Sequence, residues 1–432
     1  MAKKIRILAL LLAFALVLTG CGLRTVDQLY CLPKRSEADH DLQAVIDKAM
    51  DGLQYVTPIY SDIRQVVQEA DLDGDGVNEY ILCARDNSEK PLKILIFCQL
   101  ASGYVLMDTI EGYGFAFDFL EFAQMDDKPG LELIVGRQLT DQMIRSVSVY
   151  RFSGGFSRQL LSTGYARMVT CDLNSDGISE LFLLNGGESE GSNGTAVLYS
   201  YSGGDFGRTV QLPLSRPISD FRRIMLSTMR GNIPAVYVTM MQNQTTLSTD
   251  VFAIMGGEFC VAAQSILTAS LHNYYVYPED INHDGVLDLP EPVEVDRLDP
   301  ESHPEYLLRW YSLDREGNSH LVTHTYHEME QNWYFRVDNT WADRLCIQQE
   351  EHVTSFYLAG EGGWTKLFSI TVLTDADRLE QSQLPGRLVL YSNQSVICVA
   401  DLEPAAAEFG ITDAYLIARF TPIRVEIITE ED

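Results

Sequence analysis

An acidic nine-residue phrase occurs three times in this chain, and no other feature constrains the fold as much. The copies are Asp71-Leu72-Asp73-Gly74-Asp75-Gly76-Val77-Asn78-Glu79, Asp172-Leu173-Asn174-Ser175-Asp176-Gly177-Ile178-Ser179-Glu180 and Asp280-Ile281-Asn282-His283-Asp284-Gly285-Val286-Leu287-Asp288. Each places oxygen-bearing side chains at positions 1, 3, 5 and 9 and glycine at position 6. A hard dication takes about six to eight oxygens, and glycine permits the sharp turn that lets one short segment present them. With the carbonyl at position 7 included, the candidate calcium ligands of the first loop are Asp71, Asp73, Asp75, Val77 and Glu79. Those of the second are Asp172, Asn174, Asp176, Ile178 and Glu180, and those of the third are Asp280, Asn282, Asp284, Val286 and Asp288. The competing reading is an acidic turn without metal, because Asp, Asn and Gly are also common turn residues. Like charges crowded into one turn repel each other without a cation, and that favours calcium.

Strand-like runs flank the loops, among them Glu79 to Arg85, Leu92 to Cys98, Tyr104 to Thr109, Glu180 to Leu184 and Thr195 to Tyr201. Each is bounded by turn residues. The loops begin roughly 100 residues apart, and each interval holds a degraded copy, Asp126-Asp127-Lys128-Pro129-Gly130 or Gly231-Asn232-Ile233-Pro234. The repeating unit is therefore roughly 50 residues with three or four short strands, the size of a propeller blade. One such unit cannot bury both faces, so several must pack together.

Strand, D-x-[DN]-x-D-G-x-x-[ED], then strand resembles the FG-GAP or VCBS repeat. The resemblance covers roughly residues 60 to 290. It implies a β-propeller of the kind seen in integrin α headpieces, with calcium in loops between blade strands. The expected fold is mainly β: a propeller-like repeat domain over 55–300, and a C-terminal α+β domain over 301–432 or, alternatively, further blades there. Residues 21–54 are expected to form a tether and a short helix, since Leu42, Val45, Ile46 and Met50 recur at helical spacing.

Lys3, Lys4 and Arg6 precede an apolar run from Ile7 to Val17, and Leu18-Thr19-Gly20-Cys21 follows. The run is too short for a permanent span. The order of charged, apolar and small residues ending in cysteine resembles the lipobox of bacterial lipoproteins. This implies removal of residues 1–20, lipidation of Cys21, and anchorage at the extracytoplasmic face of the cell membrane. With the repeats, the chain resembles repeat-containing surface lipoproteins of Firmicutes.

The formal charge is −29, and loss of Lys3, Lys4 and Arg6 takes it to −32. Such a surface repels nucleic acid and favours divalent cations. After Cys21 the cysteines are Cys31, Cys83, Cys98, Cys171, Cys260, Cys346 and Cys398, odd in number and widely spaced. Several sit in apolar runs, so no disulfide framework is expected.

Four other patterns invite chemical readings. The third loop extended to Glu291 satisfies the EF-hand pattern, but Pro290 would spoil an exiting helix. Gly187-Glu188-Ser189-Glu190-Gly191 matches a nucleophile elbow yet leads into a strand rather than a helix. His320, His324 and His327 lack zinc-protease spacing and lie in a strand-like run. Trp310, Trp333, Trp341 and Trp364 could stack on sugar rings or simply form core. These observations lead to a non-enzymatic, calcium-binding platform for an extracellular glycan or protein. The alternatives are an envelope carbohydrate-active enzyme with a carboxylate pair, and a regulatory or assembly subunit of a membrane complex.

Overall fold

The computed structural model describes residues 37–60, 65–140, 144–189, 191–271 and 274–423. The leader, Cys21 and Cys31 lie outside them. Among the described residues no helix is long and apolar enough to cross a membrane.

Among the described residues the strands form six antiparallel sheets. Sheet I holds Gln54–Tyr55, Val67–Ala70, Glu79–Arg85, Leu92–Leu100 and Gly103–Gly112. Sheet II holds Ala116–Ala123, Glu132–Gln138, Arg145–Ser153 and Phe156–Tyr165, and sheet III holds Arg167–Cys171, Glu180–Asn185, Thr195–Ser202 and Asp205–Pro213. Sheet IV holds Phe221–Met229, Ile233–Asn243, Thr246–Met255 and Glu258–Ala269. Sheet V takes Asp288–Glu294, Tyr306–Leu313, Ser319–Glu328 and Trp333–Val337, with the late strand Phe420–Pro422 on its edge. Sheet VI takes Leu345–Glu350, Val353–Gly360, Gly363–Leu373, Arg387–Ser392 and Ile397–Leu402.

The chain falls into two compact units. One comprises residues up to 57, 62–70 and 76–113, which includes every strand of sheet I and the helix Glu37–Ala49. The helix buries Ile46 at its predicted apolar stripe, and with Met50 just beyond it this face packs on Leu82, Ala84, Leu95 and Phe97.

The other unit comprises 58–61, 71–75 and the chain from 114 onward. Its sheets pack face to face in sequence order, and side-chain alternation explains how. In sheet III, Leu181 and Leu183 join Ile134, Val147 and Val149 of sheet II, whereas Phe182 and Leu184 join Val236, Val238 and Phe252 of sheet IV. Successive residues of one strand thus serve opposite cores, and the second strand reads as a continuous apolar run. Met229, Tyr237 and Val251 carry the contact on to Leu287 of the third loop and to Leu289 and Leu313 of sheet V, and sheets V and VI share the largest cluster. Stacked four-stranded meanders of about fifty residues are a propeller-like architecture.

The boundary expected at 300 falls inside sheet V, where Asp288 pairs with Ser312 and Glu294 with Tyr306. Residues beyond it complete sheet V and build sheet VI, with the short helices Arg378–Ser382 and Asp413–Arg419, and they belong to the same compact unit as sheets II to IV. The shift in composition reflects aromatic packing between sheets V and VI, where Trp333, Phe335, Phe356 and Phe368 are buried. Before the third loop, Tyr274 makes an isolated bridge to Leu271.

Candidate metal centres

The first loop links Val67–Ala70 to Glu79–Arg85 and the second links Arg167–Cys171 to Glu180–Asn185; in sheet V the residues before the loop contribute only the bridge of Glu279 to Asp288. The second and third loops have the same internal geometry. Asp172 at position 1 accepts hydrogen bonds from the N–H groups of Asp176 (3.2 Å) and Gly177 (2.9 Å). Asp280 does the same for Asp284 (3.0 Å) and Gly285 (2.8 Å). Position 3 accepts from the position 5 N–H, at 2.8 Å in Asn174 and 3.1 Å in Asn282. Position 5 accepts from the position 7 N–H, at 2.8 Å in Asp176 and 2.9 Å in Asp284. Position 6 has φ near 85° in all three loops, which explains its invariable glycine. The chain also turns left-handed at position 4, where Ser175 and His283 both have φ 60°.

Position 9 begins the next strand and is buried: Glu79, Glu180 and Asp288 are 3%, 2% and 0% exposed. One carboxylate oxygen accepts the position 2 N–H, from Leu173 at 2.7 Å and from Ile281 at 3.3 Å. The other oxygen of Asp288 is buried with no hydrogen-bond partner. Burial pushes the carboxyls of Glu180 and Asp288 up to about 7, and the loop aspartates, Asp172 and Asp176 or Asp284 and Asp280, add to the rise. A bound cation would reverse both effects, so the donor set fits a hard dication. In the first loop Asp71 accepts the Gly74 N–H (2.7 Å) and Asp73 the Asp75 N–H (3.2 Å). Carboxylate oxygens of Asp71 and Asp73 lie within 4.8 Å of each other. At position 7 the Val77 side chain is exposed, Ile178 is half-buried and Val286 is buried.

The degraded loop of sheet II supplies an internal comparison. Gln124 stands at position 1, Asp126 at 3, Lys128 at 5 and Glu132 at 9. Glu132 is buried, and one of its oxygens accepts the Met125 N–H at 2.7 Å, as its counterparts do. Here the cation is built in. Arg151, from the next strand but one, donates from Nη1 to Asp126 and to Glu132 (2.9 Å) and from Nη2 to the Pro129 carbonyl (2.9 Å). One pair beyond Leu133–Tyr150, Arg151 stands opposite position 9. The corresponding residues elsewhere are Cys98, Ser200 and Ser312, none of them cationic. The loop that has lost acids at positions 1 and 5 is thus the one with an arginine between positions 3 and 9.

The loops also clasp their predecessors. The position 8 N–H donates to a carbonyl of the preceding turn: Leu131 to Asp71 (3.0 Å), Ser179 to Gln124 (2.7 Å) and Leu287 to Thr228 (3.1 Å). At the first of these the backbones touch, and a Cβ on Gly130 would lie 2.4 Å from the Leu72 carbonyl oxygen. The other degraded copy, around Asn232, is only a tight turn without acids.

The remaining motifs do not assemble sites. Glu291 lies exposed in a strand opposite Arg309, so the third loop has no EF-hand helix. Ser189 caps a hairpin through Ser192 and leads into the strand Thr195–Ser202. The three histidines have separate partners: Asp314 for His320, Asn339 for His324 and Thr325 for His327. Trp310, Trp333 and Trp341 are buried core. The described cysteines are free thiols. Glu132 could have been found by aligning the degraded loop. Arg151 carried no sequence signal, because its role depends on strand register.

No family model matches the chain, and no curated protein matches it. Among solved structures it is similar to a candidate 6-phosphogluconolactonase from Bacteroides uniformis, at 10% identity over 68% of this chain and 82% of that one, with TM-score 0.30. The β-propeller domain of the Trilobed protease from Pyrococcus furiosus matches at 11% identity, covering 71% and 90%, with TM-score 0.26. The exotype rhamnogalacturonan lyase YesX matches at 10% identity, covering 81% and 72%, with TM-score 0.29. At such TM-scores the architecture rests on the sheets themselves.

Proposed function

We propose that this protein is a lipid-anchored, extracytoplasmic, non-enzymatic binding platform whose FG-GAP-like loops hold calcium. The observation that carries the metal reading is Arg151. Where the acidic phrase is degraded, a guanidinium bridges the position 3 and position 9 carboxylates; where it is intact, no side-chain cation bridges them, Arg230 on Ser312 being felt by Asp288 without pairing with it, and the cation comes from solution. The ion's part is structural, stabilising the folded state by binding it alone. Because the loops clasp neighbouring turns, rigidity is passed from the first loop through the degraded one to the second, and from the third loop to sheet IV. Anchorage through Cys21 places this scaffold at the membrane surface, where two acyl signals suffice to hold a chain without a span.

The test is a double substitution, Asp71→Ala with Asp73→Ala. We expect one fewer calcium ion bound by titration calorimetry, a melting temperature lowered by roughly 2–8 °C in calcium, and almost no change in chelator. Equal losses in both buffers would show that the loop is only a turn.

A further inference from the structure

Sheet IV lacks the acidic phrase, and an arginine-lined cleft lies where the loop would be. Residues 71–78, 124–131 and 172–179 connect the paired strands of sheets I, II and III at this point. In sheet IV residues 230–232 alone connect Met229 to Ile233. This short turn is docked on sheet V, the Arg230 N–H donating to the Leu313 carbonyl at 2.8 Å. Beside it opens a cleft of about 310 Å³. Arg230 and Gly231 of the turn line it, with Arg315 from the turn that follows Leu313. Ile233, Ile254 and Met255 give it apolar walls. A Cβ on Gly231 would meet nothing within 4 Å, so this side stays open.

Charge makes the arginines unexpected. The chain carries 61 acidic residues against 32 basic ones, so acids to neutralise an arginine are plentiful. Yet among the described residues Arg230 pairs with no carboxylate. Its Nη1 donates to Ser312 Oγ at 3.4 Å, and Asp288 feels its charge without pairing. Arg315 reaches only Glu316 beside it, at 3.8 Å, with both side chains about two-thirds exposed. An exposed pair of that kind contributes little. Asp314 is turned back into its own turn, accepting the N–H groups of Glu316 (3.0 Å) and Asn318 (2.8 Å) and facing His320 Nε2 at 2.7 Å. Two guanidinium groups with donors to spare therefore line one cleft with apolar walls. Apolar walls with a few placed polar groups are the usual make-up of a small-ligand site, and guanidinium groups match oxyanions bidentately.

We propose that this cleft binds a small amphipathic anion, a carboxylate or phosphate monoester carried on a short apolar body. The oxyanion meets Arg230 and Arg315, and the body lies against Ile233, Ile254 and Met255. At roughly 30 Å³ for each water-sized group, the cleft holds on the order of ten non-hydrogen atoms, so a ligand that fills it meets both arginines. The site deepens the platform reading by giving its ligand a chemical class, and it rests on that reading for its role but not for its geometry.

The experiment is calorimetric titration of the detergent-solubilised full chain. Benzoate and its neutral analogue benzamide are titrated in calcium, and phenyl phosphate in calcium-free buffer without chelator. Saturable binding of benzoate or phenyl phosphate is expected, weakened roughly tenfold or more in Arg230→Gln/Arg315→Gln. Arg315→Gln alone should keep its melting temperature, since that side chain is 66% exposed, and should still weaken binding several-fold. The tighter of the two anions assigns the oxyanion as carboxylate or phosphate. Absence of saturable binding by both anions, equal binding by the variants, or benzamide binding as tightly as benzoate would overturn the proposal. A parallel calcium titration separates the two readings. Calcium bound without anion sinks the cleft alone, and anion bound without calcium sinks the metal reading alone.

Discussion

Arg151→Ala is expected to destabilise the protein by about 3–5 kcal/mol, equally in calcium and in chelator. The substitution leaves Asp126 and Glu132, 1% and 0% exposed, facing each other without a cation. Removing one partner of a buried ionic group costs far more than the group contributes net, because the remaining charges stay desolvated. The Pro129 carbonyl loses its donor too. Arg151→Lys should recover only part of the loss, since one ammonium cannot reach two carboxylates and a carbonyl in the fixed fork of a guanidinium. Urea unfolding of the variants in both buffers provides the check. A loss below about 1 kcal/mol would show that Arg151 is an ordinary surface pair. A loss confined to chelator would show that an ion enters the vacated loop.

The sequence revealed the loops, the strands and the fifty-residue period because all three are local. Acids at fixed offsets, glycine at a left-handed position and alternating apolar residues need no knowledge of the partner. Glu79 to Arg85 emerged as predicted, and Leu92 to Cys98 was short by only two residues. What stayed hidden depends on register or on stacking. Arg151 meets Glu132 only because Leu133 pairs with Tyr150. Arg230 and Arg315 share one cleft only because sheets IV and V stack. The expected division at 300 followed a change in composition, yet Pro290 and Pro292 lie in a strand whose partner begins at Tyr306. Pro292 lacks an N–H, but this is the first strand of its sheet, where one edge makes no ladder. The tryptophans suggested a different domain and instead fill the same kind of inter-sheet core with larger side chains.

Calcium withdrawal is expected to lower the melting temperature by roughly 10 °C at pH 7.5, and much less at pH 5. Each occupied loop contributes about 1–3 kcal/mol when the ion is well above its dissociation constant. The pH dependence follows from position 9. In the metal-free fold the carboxyls of Glu180 and Asp288 titrate at about 7, against ordinary values of 4.5 and 3.8. Between pH 4 and 7, roughly, the folded chain holds protons there that the unfolded chain has released, so stability in chelator falls as pH rises through that window. Calcium binds the ionised carboxylates and competes with those protons, so its contribution grows across the same window. The calcium and chelator curves should therefore nearly meet at pH 5 and separate fully by pH 8. Asp288→Asn should remove the third loop's share of the separation and raise the stability of the metal-free protein at pH 8, because a neutral amide replaces a buried charge with an unpartnered oxygen. Parallel curves across the whole range would mean that these carboxylates are not ligands, and that the recurring phrase is a turn signal alone.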